Sequence, residues 1–351
     1  MTYVATPAGL EPATLCLEVG PPASLHPSCT HGSPRNLVVR VHTMLIDDAF
    51  THYTDHVSRL RTSRETKRIL RGQLLPTLAG RPLTDIRRRD MIAVLDAAAQ
   101  RGTSNGHHVF AQSRAFFNFC CSRDWIDTSP CDRLSSHRLL GTPDIRTRVL
   151  TDDELARVWR AAGLLASFHN YGTLVRILIL TAQRRSEVGG MAWCELTGLD
   201  SEGGALWAIP PEKYKTGTPQ RIPLSRLAVR ELSALERAGP LLFPSKRSAS
   251  SRPFSGFSKL KARLDGLSRV EDWCFHDIRR TARTGMARLG VPENVASLCL
   301  GHGRKGMGKV YDQYGYESEM RAAFEQWAAH LAHLASSEKS QLPATDAYRK
   351  R

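Results

Sequence analysis

From Met44 onward apolar side chains recur at helical spacing, and a short polar segment divides that rhythm into two stretches. In the first stretch the spacing predicts helices over residues 45–60, 63–75, 89–101 and 104–121, a small all-α domain spanning 44–140. The last of these carries Val109, Ala111, Phe116, Phe117 and Phe119 as its apolar surface. Arg61, Arg64, Lys67, Arg68 and Arg71 decorate an earlier one, either as a cluster facing a phosphate backbone or as an ordinary solvated face. Residues 141–148 read as a linker with a basic end. Thr151-Asp152-Asp153-Glu154 is then a capping box that opens the next helix, within a second domain assigned to 141–336. There the pattern predicts an apolar helix over 172–180 and two short strands, 205–209 and 221–224, joined across the turn-rich 213–220 as a small hairpin. Helices near 226–236, 254–264, 276–289 and 292–300 follow. A final helix sets Met320, Phe324, Trp327, Leu331 and Leu334 on one stripe, most simply a docking face for the chain's own core, with a neighbouring subunit as the alternative. The fold class expected is mainly α with a small antiparallel β-sheet, an α+β arrangement.

The two ends lack this rhythm. Residues 1–43 hold Pro7, Pro12, Pro21, Pro22 and Pro34, and their only charged side chains are Glu11, Glu18, Arg35 and Arg40; they are expected to be an unstructured leader. The abrupt onset of pattern at Met44 raises the hypothesis that translation starts there, which intact mass would test. Residues 337–351 are polar and expected to be a disordered tail.

Charge narrows the class of partner. The 351 residues carry a formal +15 and, because the four leader charges cancel, all of it lies downstream of Val41. Clustered Lys and Arg gain affinity by displacing counterions from phosphate, so nucleic acid is the leading partner. The eight cysteines (Cys16, Cys29, Cys120, Cys121, Cys131, Cys194, Cys274 and Cys299) form no CxxC pair, so neither a zinc site nor a disulfide framework is indicated, and reduced thiols in a cytoplasm fit best. No stretch reaches the apolar length of a membrane span, and a secretion signal is missing.

Five segments of the second domain carry chemistry as a set: TAQRRSE around Arg184, YKTG around Lys215, HDIRR from His276 to Arg280, LGH ending at His302, and Tyr311. Phosphodiester transfer needs cations on the nonbridging oxygens, an in-line nucleophile and a proton for the leaving oxygen. Arginine forks, a lysine and a tyrosine supply all three without a metal. The order Arg, Lys, HxxR, LGH, Tyr, with His302 and Tyr311 nine residues apart, resembles the catalytic half of the tyrosine recombinase (phage integrase) family over residues 149–330. Thr181-Ala182-Gln183-Arg184-Arg185-Ser186-Glu187 matches the family's T-G-x-R-x-x-E except at Ala182, and His276-Asp277-Ile278-Arg279-Arg280-Thr281 matches its H-x-L-R-R-T with Ile278 for leucine. Trp193 and Glu195 continue the resemblance as packing positions.

What the resemblance implies is specific. Arg184 and Arg279 clamp the scissile phosphate, with Glu187 orienting Arg184 as a supporting residue. Lys215, ahead of the Ile222-Pro223-Leu224 strand, is the general acid, with Lys213 the less favoured candidate. His276 is a hydrogen-bonding or proton-accepting partner of the nucleophile, His302 binds the phosphate, and Arg280 contacts DNA or solvent. The His-to-Tyr interval selects Tyr311 as nucleophile over Tyr314 and Tyr316. Attack gives a 3′-phosphotyrosyl enzyme and a free 5′ hydroxyl, and neither ATP, a divalent cation nor any other cofactor is required. The first domain resembles the family's helical core-binding domain by position and helicity. The implied partner is double-stranded DNA, gripped by a clamp of two domains in a homotetramer on two sites, with accessory DNA-bending proteins. The implied role is integration or excision of a phage or genomic island. Two other readings stand beside it: a type IB topoisomerase-like nicking-closing enzyme, and a catalytically silent DNA-binding protein.

Overall fold

A computed structural model describes residues 43–143, 145–165, 170–201, 204–214, 217, 219–245, 252–302 and 314–337. The leader over 1–42 and the tail from 338 lie outside the described residues. The chain is mainly helical with one small antiparallel sheet, and it separates after residue 144 into two compact units. No helix among the described residues is long and apolar enough to cross a membrane.

The N-terminal unit comprises α1 (Ile46–His56), α2 (Ser63–Ile69), α3 (Leu75–Leu78), α4 (Arg88–Ala99), α5 (Thr103–Cys121) and the short α6 (Ser136–Leu140). A π-helical turn, Leu70–Leu74, joins α2 to α3, so the helix expected over 63–75 is broken in register and Leu70, Leu74 and Leu78 all reach the core. Phe116 and Phe117 of α5 fill that core, and Tyr53 packs edge-on against Phe116. Val109 and Phe119 are buried as expected, whereas Ala111 is exposed, on the opposite side of α5. Polar cross-links fasten the helices: Asn105 and Gln73 exchange amide hydrogen bonds of 2.9 and 3.0 Å, and Thr66 Oγ1 donates to Gln112 Oε1 at 2.8 Å.

The C-terminal unit opens with α7 (Asp152–Leu164), whose capping box is formed: Thr151 Oγ1 accepts from the Glu154 N–H at 3.2 Å and Glu154 returns the bond at 2.8 Å. Next comes α8 (Tyr171–Thr181), buried at every position except Arg176 because α7, α10 (Arg226–Ser233), α12 (Phe275–Arg288) and the C-terminal α14 (Glu317–Ser336) surround it. A helix enclosed on all sides needs a near-continuous apolar sequence, which is what YGTLVRILILT provides. The stripe Met320, Phe324, Trp327 and Leu331 of α14 packs into this same core. Trp327 Nε1 donates to the Ile179 carbonyl at 2.9 Å, and Gly285 of α12 leaves the room its ring occupies.

Beside the helices, β2 (Leu206–Ile209) and β3 (Gln220–Pro223) form the expected hairpin, registered Trp207 to Ile222 and Ile209 to Gln220. A two-residue strand, β1 (Leu196–Thr197), adds to β2 and was too short to show in the pattern. The helix expected from 254 begins instead at Phe257 as α11 (Phe257–Ser268), since Gly256 at φ +92° turns the backbone away from helical geometry. The segment is completed by α9 (Arg185–Gly189) and α13 (Glu293–Cys299).

Candidate active site

The site grows from the end of α8. There Ala182 takes up φ +52° and ψ 24°, a left-handed conformation that costs a residue with a Cβ about 1–2 kcal/mol. This is the position at which the motif departs from glycine, and the departure concerns backbone conformation more than packing. The turn frees Arg184 from the helix to become the N-cap of α9. Glu187 sits in the first turn of α9; its Oε2 accepts the Arg184 N–H at 2.9 Å and its Oε1 accepts Arg184 Nη1 at 2.7 Å. Glu187 is buried, unlike an ordinary surface pair at this spacing. Burial works against the Arg184 charge, but hydrogen bonds to Glu187 and Tyr214 hold its pKa above the ordinary value.

The second contribution comes from the first turn of α12. Asp277, fully buried, caps this helix by accepting the Cys274 N–H at 2.8 Å. It also accepts Arg146 Nε at 2.9 Å and Arg280 Nη1 at 2.5 Å, so Arg280, expected to face DNA or solvent, is partly exposed and also engaged with Asp277. Burial alone would raise the Asp277 pKa; the bonds from Cys274 and Arg146 outweigh it and hold the carboxyl below its usual range. On either side of Asp277 stand exposed His276 and buried Arg279. Arg279 Nη1 donates to the Ala182 carbonyl at 2.5 Å and Nη2 to the Leu300 carbonyl at 2.7 Å. Burial, then the nearby Arg184 charge, lowers its pKa to about 10, still protonated near neutrality. Partial desolvation, followed by the charges of Arg280 and Arg279, pushes the His276 pKa below 6.5 and keeps its ring neutral at pH 7.

The third contribution is the end of α13. The Gly301 N–H donates to the Leu298 carbonyl at 2.8 Å and the His302 N–H to the Ser297 carbonyl at 3.0 Å, the paired bonds of a Schellman turn, with Gly301 at φ +66°. In LGH the glycine is therefore the left-handed residue closing a helix, and exposed His302 is the first residue beyond it.

Lys215 and Tyr311 lie outside the described residues. Lys213 is described and occupied: its Nζ donates to the Gly190 carbonyl at 3.0 Å and pairs with Glu195 Oε1. It lies in a turn, within the connection expected between the two strands. Buried Glu195 also accepts Trp207 Nε1 at 3.0 Å, consistent with a structural position, while Trp193 lies partly buried beneath Arg237. Of the alternative tyrosines, Tyr314 is exposed with its ring 4.8 Å from that of Tyr316, the residue at the N-cap position of α14.

Arg184, His276, Arg279 and His302 are thus carried by three helix ends that hydrogen bonds draw together. Buried Tyr214 belongs to the same cluster and was not singled out from sequence. The Arg184 guanidinium carbon lies 5.1 Å from the centre of its ring, and its hydroxyl donates to the Gly301 carbonyl at 2.6 Å. The signals available for it were its place directly before Lys215 and the aromatic ring in a loop otherwise made of turn residues.

Residues 148–317 match the Phage integrase family. Prophage integrase IntZ of Escherichia coli (strain K12) is 25% identical over 268 residues, 76% of this chain and 65% of the relative, so the chain spans less than two thirds of that protein. A lambda integrase dimer solved bound to a COC′ core site superposes with a TM-score of 0.59 at 18% identity, over 75% of this chain and 97% of that one. A lambda integrase tetramer on a Holliday junction gives 0.61 at 17%, over 78% and 83%. The Tn1549 transposon integrase in complex with circular intermediate DNA gives 0.56 at 16%, over 80% and 98%. At these identities the structural likeness concerns the fold.

Proposed function

We propose that the chain, whose residues 148–317 match the Phage integrase family, is a tyrosine recombinase that cleaves and rejoins DNA at specific sites through a phosphotyrosine at Tyr311. The observation that carries the reading is the pair Arg184 and Arg279. One is oriented by buried Glu187 and the other desolvated and held by two carbonyls, close enough for the charge of Arg184 to depress the Arg279 pKa. Two guanidiniums kept in such proximity gain from an anion that both can reach, and a phosphodiester is the anion whose oxygens match their forks.

In this reading the Tyr311 oxygen attacks phosphorus in line, the bond to the 5′ oxygen breaks, and Lys215 gives that oxygen its proton. Neutral His276 accepts the phenol proton, and Arg184, Arg279 and His302 stabilise the charge on the nonbridging oxygens. The 3′-phosphotyrosyl ester keeps the bond energy, so a 5′ hydroxyl from a partner strand reverses the step without ATP. Assembly as a tetramer on two duplexes, for integrating or excising a phage or genomic island, follows from the same reading; a lambda integrase was itself solved as a tetramer on a Holliday junction.

The test uses a duplex that the full chain enriches from a random-sequence library, nicked so that the cleaved strand end diffuses away. Wild type is expected to yield a protein–DNA adduct on a denaturing gel, with or without EDTA, and Tyr311→Phe none. An adduct that survives in Tyr311→Phe moves the nucleophile to Tyr314 or Tyr316. Bound DNA with no adduct at all supports a silent DNA-binding protein, and relaxation of supercoiled plasmid without partner exchange supports a nicking-closing enzyme.

A further inference from the structure

The last carbonyls of a helix have no partners within the helix, and they usually face water or a backbone turn. At the end of α13 they do neither alone. The Leu298 carbonyl accepts Gln220 Nε2 at 3.2 Å, Cys299 accepts Gln183 Nε2 at 2.7 Å, Leu300 accepts Arg279 Nη2 at 2.7 Å, and Gly301 accepts the Tyr214 hydroxyl at 2.6 Å. These consecutive carbonyls are claimed by side chains from different segments: the start of β3, the residue before Arg184, the HDIRR helix, and the residue before Lys215. The turn that ends in His302 is therefore fastened to each of the other motifs, and the chain runs on from it to Tyr311 nine residues later.

We infer that Tyr214 is a positioning residue for strand cleavage, coupling the Arg184 guanidinium through its ring to the Gly301–His302 turn through its hydroxyl. The inference rests on the recombinase reading given above. The approach is close: a Cβ at Gly301, itself at φ +66°, would lie 1.8 Å from the Tyr214 hydroxyl, so any other residue there would have to displace the tyrosine. The ring is buried, so it meets no DNA itself; it acts on the reaction by where it holds Arg184 and His302.

The experiment measures adduct formation on the nicked, library-selected duplex under single-turnover conditions across a range of protein concentrations, together with thermal melting. Tyr214→Phe keeps the ring beside Arg184 and removes the hydroxyl, and with it the hydrogen bonds to the Gly301 carbonyl and from Arg184. It is expected to bind the duplex within about twofold of wild type and to melt close to it, while its adduct rate at saturating protein falls by roughly three- to tenfold. Tyr214→Leu, which also removes the ring, is expected to fall further at saturation. A saturating rate for Tyr214→Phe equal to that of wild type overturns the inference, as does a loss confined to half-saturation or matched by a loss of melting temperature, since either marks a merely structural contact. If wild type itself forms no adduct on bound DNA, the recombinase reading fails, and this inference with it.

Discussion

The two units use burial differently. Among the described residues, the buried polar side chains of the N-terminal unit are Thr66, Ser113 and Ser129, none charged, and its ion pairs are either exposed, as Arg68–Glu65, or half-buried, as Arg81–Asp90. The C-terminal unit buries Glu187, Glu195, Asp277 and Arg279 and gives each hydrogen-bond partners. Taking a charge out of water costs several kcal/mol unless its partners are well placed, and apolar side chains of similar volume would stabilise as well or better. The difference teaches where the fold accepts that cost. Apolar packing and uncharged polar cross-links hold the N-terminal helices, whereas the C-terminal unit keeps charges inside where they set the position of Arg184, Arg279 and the turn before His302.

The contrast can be broken most severely at Asp277. Asp277→Ala leaves Arg146 and Arg280 without their buried acceptor and removes the cap of α12; urea unfolding is expected to show a loss of about 3–5 kcal/mol. Glu65→Ala, at the exposed pair of the other unit, is expected to leave the transition unchanged. The depressed Asp277 pKa also sets a sign: its contribution is present above the unfolded carboxylate value of 3.8 and is lost as pH falls through the lower folded value.

A second effect sharpens the electrostatic side. Because desolvation and then Arg280 and Arg279 lower the His276 pKa, its neutral, proton-accepting form persists below pH 6.5, and the saturating cleavage rate should decline only under that value. Arg280→Ala removes one of these cations and is expected to move the acid limb of the pH–rate profile upward; an unmoved limb would separate His276 from proton transfer. Smallest is Ala182→Gly. Relieving a left-handed alanine gains about 1–2 kcal/mol, and the freer unfolded chain returns about 0.4–1 kcal/mol of that. A net rise in stability, read from the urea midpoint with unchanged slope, is expected; a fall would mean that the alanine methyl packs for more than its backbone costs.

Much of this was legible along the chain because it is local chemistry. The Thr151–Glu154 capping box, the enclosed helix α8 and the glycine of LGH each follow from residues within a few positions of one another. The order of Arg184, His276, Arg279 and His302 is spread along the second domain, and it was read from the resemblance to known motifs together with the residue types that phosphate chemistry can use. Other features are set by neighbours far away in sequence. Lys213 and Lys215 look alike on paper, and only the fold shows Lys213 drawn onto Glu195. Arg280 reads as a surface cation until Asp277 is seen to be buried beside it.

By itself, then, the sequence determined the helical rhythm and the small hairpin and offered the residue types of the site, since these depend on composition, spacing and short-range geometry. Tertiary structure alone decided that Ala182 turns left-handed and that the carbonyls of residues 298–301 are claimed by Gln220, Gln183, Arg279 and Tyr214. Those bonds join groups separated by 21 to 116 residues, and no periodicity in one dimension specifies which distant side chain will satisfy a helix end. A carbonyl removed from water must find a donor, but only the packed chain determines which donor is within reach.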